Sequence, residues 1–479
     1  MDLSKWIMER TGDMEENKPA KKLDFISYAI LLFIGLLSFS FGGGTIATIF
    51  ASVGFVISIV LLMVVGEKLK KNEKLSFAAD SLPLLVFMIL ISFNRFWLSS
   101  SSGFFSSLLL FLGLLGAYLL GFFLRKYESI TPKIILTVVV ILSGLYVLTN
   151  LIINLVDYGF FYATLYNGKI YYLDGNHYLV SEEMKSLIGF DVKRTTLPYS
   201  STLAFMLASI LPSILFMNFS SFKEVGEGNF IKRNLNRIYL ISLISAGIIG
   251  LFSLVFIPYT RALILLAVVF VFALVMRFVP YKKEAPIWAK IFGVAILIIA
   301  LAYIILLAYA GVKGNIDNIL VTNGLVFDNL PVFKAIFEND KGIIATLFGT
   351  NLNDYFDKLN SISVSNIRTN SFEFEALLEG GLICFVALMA AIVFSVISLR
   401  KYLHKEDKIT NERMVFALMI LGWFIYKSLL VDTVPFVGSN IYMTPFSQDS
   451  TIIIVLMLLG YTHENIFSIK TEGEKHEEK

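Results

Sequence analysis

The stretch LLLFLGLLGAYLLGFFL, residues 108–124, carries no charge and little polarity, and it does not alternate apolar with polar side chains. A barrel strand that crosses a bilayer is about ten residues long and alternates, because one face meets lipid and the next meets the lumen. A continuous apolar run of this length suits a helix, which rises about 1.5 Å per residue and needs about 20 residues to cross a hydrocarbon layer roughly 30 Å thick. The stretches LLFIGLLSF at 31–39 and IFGVAILIIALAYIILLAYA at 291–310 have the same character. Within lipid every backbone N–H and C=O must be satisfied inside the segment, so such runs read as transmembrane helices.

Working outward, apolar runs recur at 25–41, 46–66, 81–98, 104–124, 134–156, 201–219, 238–257, 262–279, 290–310, 372–399, 414–430 and 448–466, which makes about twelve spans. The composition agrees, with 56% hydrophobic and 16% charged residues and a mean hydropathy of +0.74. The expected fold is therefore an all-α polytopic membrane protein. A charged lead at 1–24 precedes the first run without a small-residue cleavage site, so that run reads as a retained span rather than a signal peptide.

Most of the 40 Lys and Arg residues fall on one side if both termini are cytoplasmic. The inner clusters include Lys68, Lys70, Lys71 and Lys74, then Arg125, Lys126 and Lys133, then Arg400, Lys401, Lys405, Lys408 and Arg413. This layout gives a cytoplasmic segment 1–24, a membrane domain 25–466 and a cytoplasmic tail 467–479, whose polar end TEGEKHEEK reads as disordered. Two long extracytoplasmic loops follow, 157–200 and 311–371. The net charge of +3 is spent on orientation and anionic lipid rather than on nucleic acid. The single cysteine, Cys384, lies inside a span, which excludes an intrachain disulfide framework and a cysteine metal cage.

Loops of such length in a compact protein usually carry function. The first is rich in Tyr and holds turn signals at NGK and DGN, which predict short strands or an ordered lid. The second contains LPVFKAIFEN, where Leu330, Phe333, Ile336 and Phe337 fall at helical spacing, as in an amphipathic helix on the membrane surface. It then passes the turn FGTN, with Gly349, and reaches NSFEFEALLEGG.

Ionisable groups at the outer ends of spans are the candidate site. A charge within a span costs about 2.5–3.5 kcal/mol on insertion scales, so it is paired or faces a polar cavity. Arg261, Arg368, Arg95 and Lys427 meet this description and suit an anionic diphosphate, Arg through its planar two-bond fork. Snorkelling to headgroups, or pairing with acidic neighbours, is the alternative for Arg95 and Lys427. Asn370 followed by Glu373 reads as a capping box. Glu375 and Glu379 share a helix face, Glu379 about 12 Å into its span. Glu379 either pairs with Arg95 or Lys427 or takes a proton as a general base. His177, in DGNHY, is the one histidine on the outer side and is either an ordinary hydrogen-bonding residue or a base. Neither metal nor cofactor is expected, since GGGT between the first two spans lacks an acidic pair and NLNDYFDKL lacks supporting His or Cys.

Three stretches together resemble the polytopic O-antigen polymerase and ligase family. PYTRALILLAVVF at 258–270 opens a span with a small hydroxyl and Arg261. VFKAIFENDKGIIATLFGTNLNDYF at 332–356 is similar to an amphipathic helix with a Phe-Gly turn, and TNSFEFEALLEGGLICFVAL at 369–388 closes the loop with Asn370 and enters the next span through Gly. The position before Asn370 is Thr369, where ligases of the family usually carry His, and the Arg that often precedes the amphipathic helix is absent, Asp328 standing nearby. The resemblance thus points to the polymerase branch. It implies a glycosyltransferase in the bacterial cytoplasmic membrane that joins undecaprenyl-diphosphate-linked glycan units on the outer face, without metal. It implies the Arg and Lys residues above on the diphosphate, Glu375, Glu379 or His177 on the proton, and flippase and chain-length regulator proteins as partners. Ligation to another acceptor and a lipid-linked oligosaccharide flippase remain the alternatives.

Overall fold

The computed structural model describes residues 74–77, 81–98, 104–126, 131–158, 163–166, 169–172, 200–217, 230–256, 260–278, 342–349, 372–405, 409–429, 451–463 and 467–470. These residues are overwhelmingly helical: α1 Leu82–Leu98, α2 Phe104–Lys126, α3 Pro132–Tyr158, α4 Ser200–Ser209, α5 Phe230–Phe256, α6 Thr260–Phe278, α7 Gly342–Phe348, α8 Phe372–Leu403, α9 Asn411–Leu429 and α10 Thr451–Thr462. A 3₁₀ turn, Leu211–Phe216, follows α4. Two antiparallel ribbons complete the set: β1 Lys74–Phe77 with β4 Phe467–Lys470, and β2 Ala163–Tyr166 with β3 Lys169–Tyr172. Among the described residues three helical windows are long and apolar enough to cross a membrane, Pro132–Thr149, Arg233–Leu254 and Gly380–Leu403, and five shorter apolar helices accompany them.

The helices run alternately up and down, and side-chain contacts show it. Phe93 near the end of α1 meets Phe104 and Phe111 at the start of α2. At the far end of α2, Arg125 donates to the carbonyl oxygens of Tyr461 (3.4 Å) and Thr462 (2.9 Å), the last residues of α10. Lys133 at the start of α3 bonds Asn236 Oδ1 at 2.8 Å and Glu412 at 3.0 Å, so α3, α5 and α9 begin together. Tyr239 donates to Asn411 Oδ1 (2.7 Å), and Asn411 Nδ2 donates to the carbonyl of Ser213 (2.6 Å). Arg277, in the last turn of α6, lies over the Phe216 ring. One end of the bundle thus gathers the ends of α2, α6, α8 and α10 and the starts of α3, α5 and α9, with their basic residues; it is called the basic end below.

Close packing in lipid relies on small residues, because lipid tails offer helices no hydrophobic incentive to associate. α2 and α10 run parallel and interlock at Gly121 and Gly460. The core holds Trp423, Tyr426 and Phe416 of α9, Phe205 of α4, Tyr118 of α2 and Met88 of α1, all at or below 2% exposed.

Two expectations change. The apolar run 201–219 is not one helix: α4 stops at Ser209 and the chain continues as a 3₁₀ turn, because Pro212 lacks the N–H that an α-helix needs there. The run 372–399 extends to Leu403 but breaks at Gly381, whose φ of 68° and ψ of −170° lie outside helical space. The apolar window begins at Gly380, so Glu379 stands just before it rather than about 12 Å within. Residues 467–470, at the start of the segment read as the cytoplasmic tail, pair with 74–77. In the first long loop the strands β2 and β3 flank Asn167-Gly168, the turn signal read above. The runs 25–41, 46–66 and 290–310, the segment LPVFKAIFEN and residues 471–479 lie outside the described residues.

Candidate functional site

Opposite the basic end, α9 delivers Lys427 about 24 Å along its axis from Asn411, by helical rise. Lys427 is buried, at 6% exposure, in a bundle of aromatic neighbours. The preceding residue, Tyr426, packs its ring 5.3 Å from Phe205 of α4. The following residue, Ser428, donates its hydroxyl to the carboxylate of Glu373 in the first turn of α8. One turn below, Trp423 donates its indole N–H to Thr451 at the start of α10 (2.7 Å) and meets Phe372 edge-on at 5.2 Å. Phe372 in turn contacts Phe87 of α1 at 6.0 Å. The segment leaving the second long loop therefore enters the bundle against α9 and α1, with its first carboxylate one residue away from Lys427 along α9. An amine so placed is expensive to bury, so it is held by a partner within the bundle.

The turn Phe348-Gly349 sits against the same helix. Gly349 has a φ of 94°, the left-handed region that favours glycine. Gly381 presses on it so closely that a Cβ there would stand 2.4 Å from the Gly349 nitrogen and 2.3 Å from the Leu347 carbonyl oxygen. Two glycines thus let α7 dock at the break of α8. Each removes a side chain from a contact between backbones, and each supplies a dihedral that other residues adopt only with strain.

Of the residues singled out in the sequence, the structure carries six to this end. Arg95 lies in the last turn of α1, and Arg261 opens α6, about 24 Å by helical rise from Arg277 at the basic end. Glu375 and Glu379 lie on α8 before the Gly381 break, Gly349 abuts that break, and Lys427 closes α9. Arg368, Asn370 and His177 lie outside the described residues. Glu373, read as a capping residue with Asn370, which lies outside the described residues, engages Ser428 of a different helix. Among the described residues no three His, Cys, Asp or Glu side chains come together as a metal group.

Sequence reasoning did not reach the basic end's own polar chemistry. The Tyr118 hydroxyl stands 2.6 Å from Nδ1 of His463, both buried. The guanidinium groups of Arg125 and Arg413 both lie over the Tyr402 ring, at 5.8 and 5.7 Å. His404 just beyond α8 has its imidazole pKa held below the ordinary value, first by burial and then by the charge of Arg400. The only signal in the sequence was the density of basic residues there. No protein-family model matches the chain, and neither does any curated protein sequence or any solved structure.

Proposed function

We propose that the chain is a polymerase of a cell-surface polysaccharide, a glycosyltransferase of the bacterial cytoplasmic membrane that joins undecaprenyl-diphosphate-linked repeat units on the outer face. The observation that carries this reading is Lys427, buried beside the point where the Glu373-bearing helix leaves the long loop, at the same end as Arg95, Arg261, Glu375 and Glu379. Cations and carboxylates are expensive at that depth and require an ionic or proton-transfer purpose. The other end of the bundle, rich in Arg and Lys, is then cytoplasmic by the positive-inside rule, with both termini inside and about twelve spans.

In the proposed reaction the acceptor sugar's hydroxyl oxygen attacks the donor's anomeric carbon from the face opposite the diphosphate. The new glycosidic bond forms as the anomeric carbon–oxygen bond to the diphosphate breaks. The hydroxyl proton passes to Glu375, Glu379 or His177, and undecaprenyl diphosphate departs as the anion. Arg95, Arg261, Arg368 and Lys427 stabilise the charge that develops on it, an electrostatic contribution that is usually the largest in such displacements. The reading needs no metal or cofactor; a flippase and a chain-length regulator are its natural partners.

The test is reconstitution of the purified chain in proteoliposomes with a defined undecaprenyl-diphosphate-linked repeat unit. Longer lipid-linked glycan, formed without nucleotide sugar, supports polymerisation; transfer to an unrelated acceptor alone supports ligation. Unchanged substrate under both conditions sinks the enzyme reading.

A second reading draws on the break at Gly381. Discontinuous helices frame the substrate sites of many transporters, so a flippase for the same lipid-linked glycan shares this feature. Movement of the donor between leaflets without chain growth in the same vesicles is its signature.

A further inference from the structure

Most large apolar side chains left uncovered by the bundle belong to helices long enough to lie within the bilayer, such as the stripe on α8 that begins at Leu382 and Ile383 and continues through Val386. α7 is different. Its seven residues cannot span, yet it bears the two most exposed large apolar side chains among the described residues, Ile343 at 78% and Ile344 at 69%. Contiguous apolar surface of this kind marks a contact with a partner or with lipid.

The glycine contact decides between them. α7 is followed directly by Gly349, whose backbone nitrogen lies against Gly381, and Gly381 stands at the start of the apolar span Gly380–Leu403. The uncovered stripe of that span begins one residue later, at Leu382. The bare face of α7 is thereby tied, backbone to backbone, to the rim of a surface that faces acyl chains. We propose that α7 is a lipid-contacting helix whose Ile343 and Ile344 insert into the leaflet at the loop end of the bundle, extending the lipid-facing stripe of α8. The second long loop is then moored in the bilayer at its middle as well as at its ends. This inference concerns a surface and holds whichever reaction the site performs.

The test places single cysteines at Ile343→Cys and Ile344→Cys in a Cys384→Ser background, with the full chain in nanodiscs of phosphatidylethanolamine and phosphatidylglycerol. Spin labels at each position are compared for collision with oxygen, which concentrates in acyl chains, and with a water-soluble nickel chelate. Val386→Cys on the α8 stripe is the lipid reference and Lys405→Cys, exposed beyond the end of α8, is the aqueous one. Labels at 343 and 344 that group with 386 support the proposal. Grouping with 405 overturns it, and so does shielding from both probes, which means that another segment or a second copy covers the face. Should the labelled chains fail to fold, Ile343→Trp keeps the question open to measurement: quenching of its fluorescence by brominated acyl chains is expected, and an unquenched signal is the contrary result.

Discussion

Gly121 of α2 and Gly460 of α10 each press against the backbone of the other's helix: a Cβ added at Gly121 would stand 1.8 Å from the Met457 carbonyl oxygen, and one added at Gly460 would stand 1.9 Å from that of Tyr118. Neither obstacle is a side chain that can swing aside, so α2 and α10 must separate to admit even a methyl group. Gly121→Ala and Gly460→Ala are each expected to lower stability by about 1–3 kcal/mol, the usual range for overpacking. Gly144→Ala is the contrast, since its new Cβ meets only Ala246 at 3.5 Å. It is expected to be neutral or to gain up to about 1 kcal/mol from helix propensity. Thermal unfolding in detergent, followed for all three variants together, checks the order.

At the break of α8 the same substitution acts on the loop rather than on the bundle. Gly381→Ala brings both a strained φ and a clash with Leu347 and Gly349. The expected outcome is release of α7 from α8, seen as faster amide hydrogen exchange over 342–349 with α2 and α10 unchanged. Exchange at wild-type rates in that segment contradicts the docking account.

Lys427 bears on stability and on activity together. It is buried and engages a partner within the bundle, and removing one member of a buried pair is destabilising. Lys427→Met is therefore expected to lower the melting temperature, read in detergent beside its activity. Under the polymerase reading its rate falls by about 10²–10³, the loss typical of one electrostatic donor removed from a transition state. Wild-type chain growth by Lys427→Met removes the lysine from the mechanism.

Ser428→Ala tests the junction between α8 and α9. The Glu373 carboxylate loses the hydroxyl that Ser428 donates to it, at an expected cost of about 1–3 kcal/mol for a part-buried acceptor deprived of one donor. Ser428→Thr retains a hydroxyl and is expected to recover most of the loss.

The pH dependence follows from His404. Its folded pKa lies below the ordinary value of about 6.5, so between the two values the unfolded chain binds the proton and the folded chain does not. Its contribution to stability is complete above about pH 6.5, declines as the pH falls through that value, and levels off below the folded pKa. His404→Gln is expected to flatten this decline between pH 7.5 and 5 in thermal melts. An unchanged slope assigns the dependence to other groups.

Much of the helix layout was legible because a bilayer demands so much of a segment: residues 104–126 and 132–158 announce themselves by length and lack of charge alone. The pairing of β2 with β3 was legible because NGK between two Tyr-bearing runs is a turn signal. The break at Gly381 was not, since an apolar run with two glycines looks the same whether the helix bends or continues, and only the approach of Gly349 makes the difference. Pro212 carried a clearer signal, and hydropathy averaged over it. The candidate residues Arg95, Arg261 and Lys427 could be assigned to one end because helix parity fixes ends. Their partners could not be read: Ser428 reaches Glu373 across 55 residues and Arg125 reaches Thr462 across 337, and periodicity within a segment says nothing about such pairings.

The parallel fit of α2 and α10 sets a schedule for biogenesis. Tyr118 and His463 are 345 residues apart, which at about 5–20 residues per second is roughly 20–70 s of translation. Throughout that interval α2 lacks the helix that fills its glycine notch. This seam, which holds the shortest glycine approach among the described residues, is therefore sewn only as the ribosome reaches α10, and any truncation upstream of α10 leaves the nascent chain without it.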